Sequence, residues 1–300
     1  MNLIIKSIFK RARNEINLIR HNKKEICLLA TMPKSGTWYA QYFFWALKKF
    51  LHDHELNINE INFHKEKIKN YIYINKSFLL IGHASNPGYV PVKDKKYGNK
   101  WQKKTYWNNG YYFLNREMGK SFNPNYNKEV RIIYLYRKPL TQFFSMYNYN
   151  FNHKSKFYRE ISKFSFSDFV IKVSAADSFL KQFHTHKILE NCYPDNIKLI
   201  NFEKLVSNPE ETFFEICDFY NIFDNTVKYK NIIKKAARFC KRDNLKIIEK
   251  KIGHSLANDR LKQGSHIQDY NNSYTELISE EDLKIIEELF NEFNYSLKDF

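Results

Sequence analysis

The chain has little cysteine, glycine and proline, far fewer acidic than basic residues, and no long apolar run. Its four cysteines, Cys27, Cys192, Cys217 and Cys240, lie far apart and form no CxxC pair. That spacing argues against a structural zinc site and a dense disulfide framework, and it fits a reducing cytoplasm. Eight glycines and seven prolines in 300 residues supply no Pro/Gly/Ser-rich linker, so one large domain is expected. No apolar stretch approaches the roughly 20 residues needed to cross a bilayer, and the N-terminus lacks the uninterrupted run of a signal peptide. Against 49 Lys and Arg stand only 32 Asp and Glu, a net charge of +17. Such a field draws in nucleic acid, anionic membrane, acidic glycans or a polyanionic nucleotide, and charge alone does not choose among them.

Aromatic side chains are abundant at 17% within a hydrophobic share of 43%, enough to bury a sizeable core. Residues 1–24 place Ile5, Ile8, Phe9, Ala12, Ile16 and Ile19 at helical spacing among Lys6, Lys10, Arg11, Arg13 and Arg20. This predicts a basic amphipathic helix that either covers the domain or rests at the periphery of an anionic membrane. Four short apolar runs then read as buried strands: Ile26 to Ala30, Phe78 to Ile81, Val130 to Tyr136 and Ile197 to Phe202. Helical patterns follow three of them, over Trp38 to Leu51, around Phe143 to Tyr147, and from about Glu210 to Tyr220 behind Ser207-Asn208-Pro209. Strands alternating with helices predict an α/β fold, a P-loop-like central parallel sheet with helices on both faces, forming one domain over residues 25–300. Residues 84 to 128 lack clean periodicity and read as loops over one end of the sheet.

Three places carry chemistry. Pro33-Lys34-Ser35-Gly36-Thr37 leaves the first strand and enters a helix, so its backbone N–H groups and the helix dipole converge where an anion would sit. Lys34 adds a charge, Ser35 and Thr37 add hydroxyls, and Gly36 permits close approach. A plain strand-to-helix turn capped by Ser and Thr has the same parts, and the sequence alone leaves both readings open. The order is not that of a Walker A loop, whose lysine follows the glycine. Arg137 ends the third run and Ser145 lies eight residues on, a spacing that can bring a guanidinium and a hydroxyl onto one phosphate. His83 directly follows the second run, where open α/β sheets place ligands and where an imidazole can act as a base near neutrality. His52-x-His54 and His184-x-His186 read as surface pairs, and no carboxylate cluster supports a metal.

Thr31-Met32-Pro33-Lys34-Ser35-Gly36-Thr37 resembles the phosphosulfate-binding loop of the family of sulfotransferases that use 3'-phosphoadenosine 5'-phosphosulfate (PAPS). The segment from Ile132 to Pro139, with Ser145, resembles that family's 3'-phosphate segment. The resemblance implies a sulfotransferase fold and transfer of a sulfuryl group from PAPS to a hydroxyl or amine of an acceptor such as a glycan, phenol or lipid headgroup. It implies no metal and no nucleic-acid partner. It makes Lys34 the residue at the bridging oxygen and His83 the base, and it assigns the nucleotide to Lys34, Ser35, Gly36, Thr37, Arg137 and Ser145. Tyr39, or less directly Trp38, takes the place of the family's adenine-stacking tryptophan, and Phe202 falls near the adenine. Arg260, Lys262 and Gly264 resemble the late segment that closes over the 3'-phosphate. The lysine two residues before the family's histidine is missing, which leaves Lys93, Lys95 or Lys96 to supply an auxiliary charge. Two alternatives stand beside this one: a P-loop nucleotide kinase, which would need a lysine after the glycine and an acidic magnesium ligand, and a non-enzymatic basic module for nucleic acid or membrane.

Overall fold

The computed structural model describes residues 25–32, 34–53, 56–58, 61, 71–83, 130–152, 163–173, 175–252 and 276–300. Strand β1 (Glu25–Thr31) leads into helix α1 (Thr37–His52), and a hairpin of β2 (Tyr71–Ile74) and β3 (Ser77–His83) follows. Then come β4 (Val130–Tyr136), α2 (Pro139–Asn152), α3 (Phe166–Ile171), α4 (Ala175–Cys192) and β5 (Ile197–Asn201). The C-terminal part holds α5 (Phe202–Ser207), α6 (Pro209–Phe219), α7 (Lys230–Phe239), α8 (Arg242–Ile252) and α9 (Glu280–Asn291). The predicted N-terminal helix of residues 1–24, the loops of 84–128 with Lys93, Lys95 and Lys96, and the segment holding Arg260, Lys262 and Gly264 lie outside the described residues.

The sheet runs β2-β3-β1-β4-β5. β1 is parallel to β3 on one side and β4 on the other, and β4 is parallel to β5. The expected central parallel sheet is present in β3, β1, β4 and β5, and β2, an added strand, pairs antiparallel with β3 and closes one edge. The reason is local. Asn75 adopts a left-handed φ of 49° and with Lys76 forms the two-residue link of a hairpin, a conformation that asparagine tolerates better than most residues. Asn75 Nδ2 donates to Ile222 O at 3.1 Å, and Lys76 pairs with Asp224 at 2.8 Å, which seats this hairpin on the loop after α6.

Alternation along the central strands sends side chains to two cores. Cys27, Leu29, Ile133 and Leu135 meet α1, α6, α7 and α8, where Phe43 stacks on Phe213 with centroids 3.6 Å apart. Leu28, Ala30, Ile132 and Tyr134 meet α2, α3, α4 and α9 on the opposite face. Helices therefore cover both faces, as the strand pattern implies. Two boundaries shift: β5 stops at Asn201, whose side chain accepts from Lys204 N and starts α5 at Phe202, and α6 begins with Pro209 in its first turn. The surface reading of His184-x-His186 fails for its second member. His186 is fully buried, stacked on Tyr134 at 3.5 Å, and its Nδ1 lies 2.6 Å from Gln182 O. Burial lowers its pKa to about 3, so it stays neutral and packs as an aromatic.

Candidate active site

With β1 central and the chain crossing to β3 on one side and β4 on the other, the crevice beyond the carboxyl ends of these strands is the topological switch point. Thr31 ends β1, His83 ends β3 in register with it, and Arg137 follows β4. The three motifs read from the sequence thus reach the same edge of the sheet.

Between β1 and α1 the chain turns tightly. Lys34 has φ 67° and Gly36 φ 93°, two left-handed residues within three positions. For lysine that conformation costs about 1–2 kcal/mol, the kind of local strain that folds retain at functional sites. Gly36 is required twice over, since a methyl group there would also overlap the Phe202 ring. Ser35 N donates to Met32 O and Ala40 N to Gly36 O, both at 3.0 Å, so the loop passes directly into the first turn of α1. Ser35 is fully buried, yet its Oγ has no hydrogen-bond partner among the described residues. A buried hydroxyl in that condition costs about 1–3 kcal/mol unless something meets it.

Arg137 comes to this loop from 103 residues away: its Nη1 donates to Lys34 O at 3.4 Å, and its guanidinium lies 5.2 Å from the centroid of the Phe202 ring. Glu203 Oε1 stands 3.5 Å from Arg137 Nε, and the same carboxylate accepts from Lys138 N and from Thr141 Oγ1. The Lys34 ammonium lies 4.2 Å from the centre of the Tyr149 ring. Burial, and secondarily the Arg137 guanidinium, lower the Lys34 pKa to about 8. The guanidinium, with Glu203 beside it, still acts on the Lys34 ammonium as a like charge, and an anion joining both would relieve that repulsion.

Ser145 is buried on α2. Thr141, Ser145 and Tyr149 are spaced by four, hence on one helix face. Thr141 touches the carboxylate that pairs with Arg137 and Tyr149 touches Lys34, so Ser145 stands on the strip between the two cations. Thr37 is buried with its Oγ1 2.5 Å from Thr31 Oγ1. Trp38 and Tyr39 are half-buried against the α1 side of the core, and the Tyr39 ring packs 5.4 Å from Phe213, where burial and Cys240 push its hydroxyl pKa up. His83 is placed by the backbone of β3. Sequence reasoning missed Tyr149 as a member of this neighbourhood and gave Thr31 and Glu203 no role of their own. The α2 spacing from Ser145 could have pointed to Tyr149; only the return of β5 beside β4 brings Glu203 in.

The fold and site define an α/β protein with a strand-to-helix loop in contact with an arginine at a neighbouring strand's end, groups whose charge suits a polyanion. The family model described as the sulfotransferase domain matches residues 24–294, and the chain belongs to the sulfotransferase family. Among solved structures, that of mouse sulfotransferase SULT7A1 complexed with PAP is similar at 16% identity and a TM-score of 0.51, covering 90% of this chain and 84% of that one. Retinol dehydratase in complex with androsterone and the inactive cofactor PAP aligns at 15% identity and a TM-score of 0.48, over 90% and 80% of the two chains. Its complex with retinol and PAP aligns at 15% and 0.46, over 90% and 81%. No curated protein matches the chain.

Proposed function

We propose that the chain moves a sulfuryl group from PAPS to a hydroxyl or amine of an acceptor and releases adenosine 3',5'-bisphosphate (PAP). The observation that carries this reading is the contact of Arg137 with the Lys34 carbonyl, in a loop whose buried Ser35 hydroxyl has no partner among the described residues. The residues present fit such a co-substrate. Lys34, Ser35, Gly36 and Thr37 would hold its 5' end, and Arg137 with Ser145 its 3'-phosphate, joined by Arg260, Lys262 and Gly264. Tyr39 or Trp38 would stack on the adenine with Phe202 near it, and Phe202 also floors the loop beneath Gly36.

The donor supplies an activated sulfuryl group, and the chain's own residues do the rest. His83 accepts the acceptor's proton, while Lys34 and the loop amides stabilise charge growing on the departing phosphate. Neither a kinase reading nor a binding-module reading explains a lysine before the glycine facing an arginine at the next strand. The basic N-terminal helix and its membrane contact, like the acceptor's identity, belong to the proposal.

Equilibrium titration with PAP and with its analogue lacking the 3'-phosphate tests the assignment. Arg137→Ala should weaken PAP binding about 10- to 100-fold and barely alter the analogue, the loss expected of charge-assisted hydrogen bonds. Equal losses for both would remove Arg137 from the 3'-phosphate, and wild-type protein that binds no PAP would end the reading. Lys34→Ala should lower transfer by about 10²–10³-fold, and near-normal turnover would take it out of the mechanism.

A further inference from the structure

The strand that delivers His83 has a glycine, Gly82, as its last residue but one. Among the described residues nothing lies within 4 Å of where a Gly82 Cβ would stand. β1 pairs with β3 up to His83, and because a glycine loosens the backbone at its own position, further polar contacts add to that hold. Two such contacts exist. Thr31 Oγ1 donates to Gly82 O at 3.2 Å, and Gln41 Nε2 donates to Ile81 O at 3.4 Å. The last two carbonyls before His83 are therefore both held by side chains from outside β3. Thr31 Oγ1 also lies 2.5 Å from Thr37 Oγ1, a hydroxyl pair in which either oxygen can donate. Gln41 lies one turn beyond Thr37 on α1, is buried at 5% exposure in a helix segment that also buries Tyr42, Phe43, Phe44 and Trp45, and has an Oε1 without a partner among the described residues. A buried amide in so apolar a helix is costly, and its hydrogen bond to Ile81 is the structural return.

We propose that Gln41, together with Thr31, is a positioning residue for the base: the pair ties the peptide units ahead of His83 to the anion loop and sets His83 at a constant distance from Lys34. This inference rests on the reading of His83 as the base. Through Thr37 and α1 the tether makes the anion-gripping loop and the end of β3 one rigid unit, so a bound donor and the proton acceptor stay in fixed relation. Such preorganisation acts on turnover and leaves nucleotide affinity alone.

The test uses the full chain and the variants Gln41→Leu, Thr31→Val and Thr31→Ser. For Gln41→Leu and Thr31→Val, kcat should fall about 10- to 100-fold while the Kd for PAP stays within about twofold, and Thr31→Ser, which keeps the hydroxyl, should restore most of the rate. In ring-labelled histidine NMR spectra the His83 signal, assigned by its loss in His83→Ala, should move or broaden in Gln41→Leu. An unmoved His83 signal with kcat near wild type overturns the proposal, and so does a loss of PAP affinity that matches the loss of rate. If Gln41→Leu does not fold by circular dichroism, Thr31→Val carries the same comparison at the other hydrogen bond. Normal turnover by His83→Ala would defeat the base reading, and the NMR shift would still decide separately whether Gln41 holds the strand.

Discussion

Lys34 is asked to be both buried and charged. Burial and the nearby Arg137 bring its pKa to about 8 in the free protein, and an anion in the crevice would raise it again. The protonated form is the one that binds an anion. PAP affinity should therefore hold below pH 8 and fall as pH rises through that value, by up to about tenfold per unit, as free Lys34 loses its proton. Calorimetric titrations between pH 7 and 9.5 check this, and Lys34→Arg, which stays protonated, should flatten the profile. An affinity that ignores pH across that window would mean that Lys34 makes no contact with the nucleotide. The face of Tyr149 against the ammonium gives the lysine a cation–π partner that a carboxylate would have supplied at the cost of repelling the anion.

Elements are locked to one another by single buried polar groups as much as by apolar packing. Tyr220, just past α6, is wholly buried; its hydroxyl donates to Leu28 O at 2.8 Å and accepts from Ile133 N at 3.3 Å, bridging β1 and β4. Both strands lead into the crevice, so this bond helps to set the spacing of Thr31 and Arg137. Tyr220→Phe keeps the ring and removes the bridge, leaving two buried backbone groups unbonded at a cost of about 1–3 kcal/mol. Urea unfolding should show a lower midpoint with an unchanged m value, and an unaltered midpoint would show that the ladder re-forms without the hydroxyl. The hairpin of β2 and β3 is another such lock, seated by Asn75 and Lys76 on the loop holding Ile222 and Asp224. Its brief Tyr71–Ile74 strand was too short to separate from its surroundings by periodicity alone.

At the scale of the whole molecule the net charge of +17 meets a substrate class that is strongly anionic. Some of the basic side chains are paired on the surface, as where Arg238 binds Glu210 through 2.8 and 3.1 Å contacts, and surface pairs of this kind add little stability. The surplus acts at a distance. The association rate for PAP should fall as salt rises, because the Debye length shrinks from about 30 Å at 0.01 M to about 8 Å at 0.15 M, while dissociation changes less. Stopped-flow measurement over that range decides it, and a salt-independent on-rate would confine the electrostatics to Lys34 and Arg137. Among the described residues no helix is long and apolar enough to cross a membrane.

Sequence by itself determined the alternation of strands and helices, the loop at Lys34 to Thr37, and the candidacy of His83, Arg137 and Ser145, because each is written in a local pattern or in a motif of contiguous residues. Tertiary structure alone decided which distant groups meet. Glu203 beside Arg137, Tyr149 over Lys34, and Gln41 and Thr31 on the carbonyls before His83 depend on the order in which strands pair. His186, polar by type, became core by the same route, through the face of Tyr134 it covers. Local rules govern a few consecutive residues, whereas strand order is settled by burying two apolar faces at once, and the whole chain takes part in that choice.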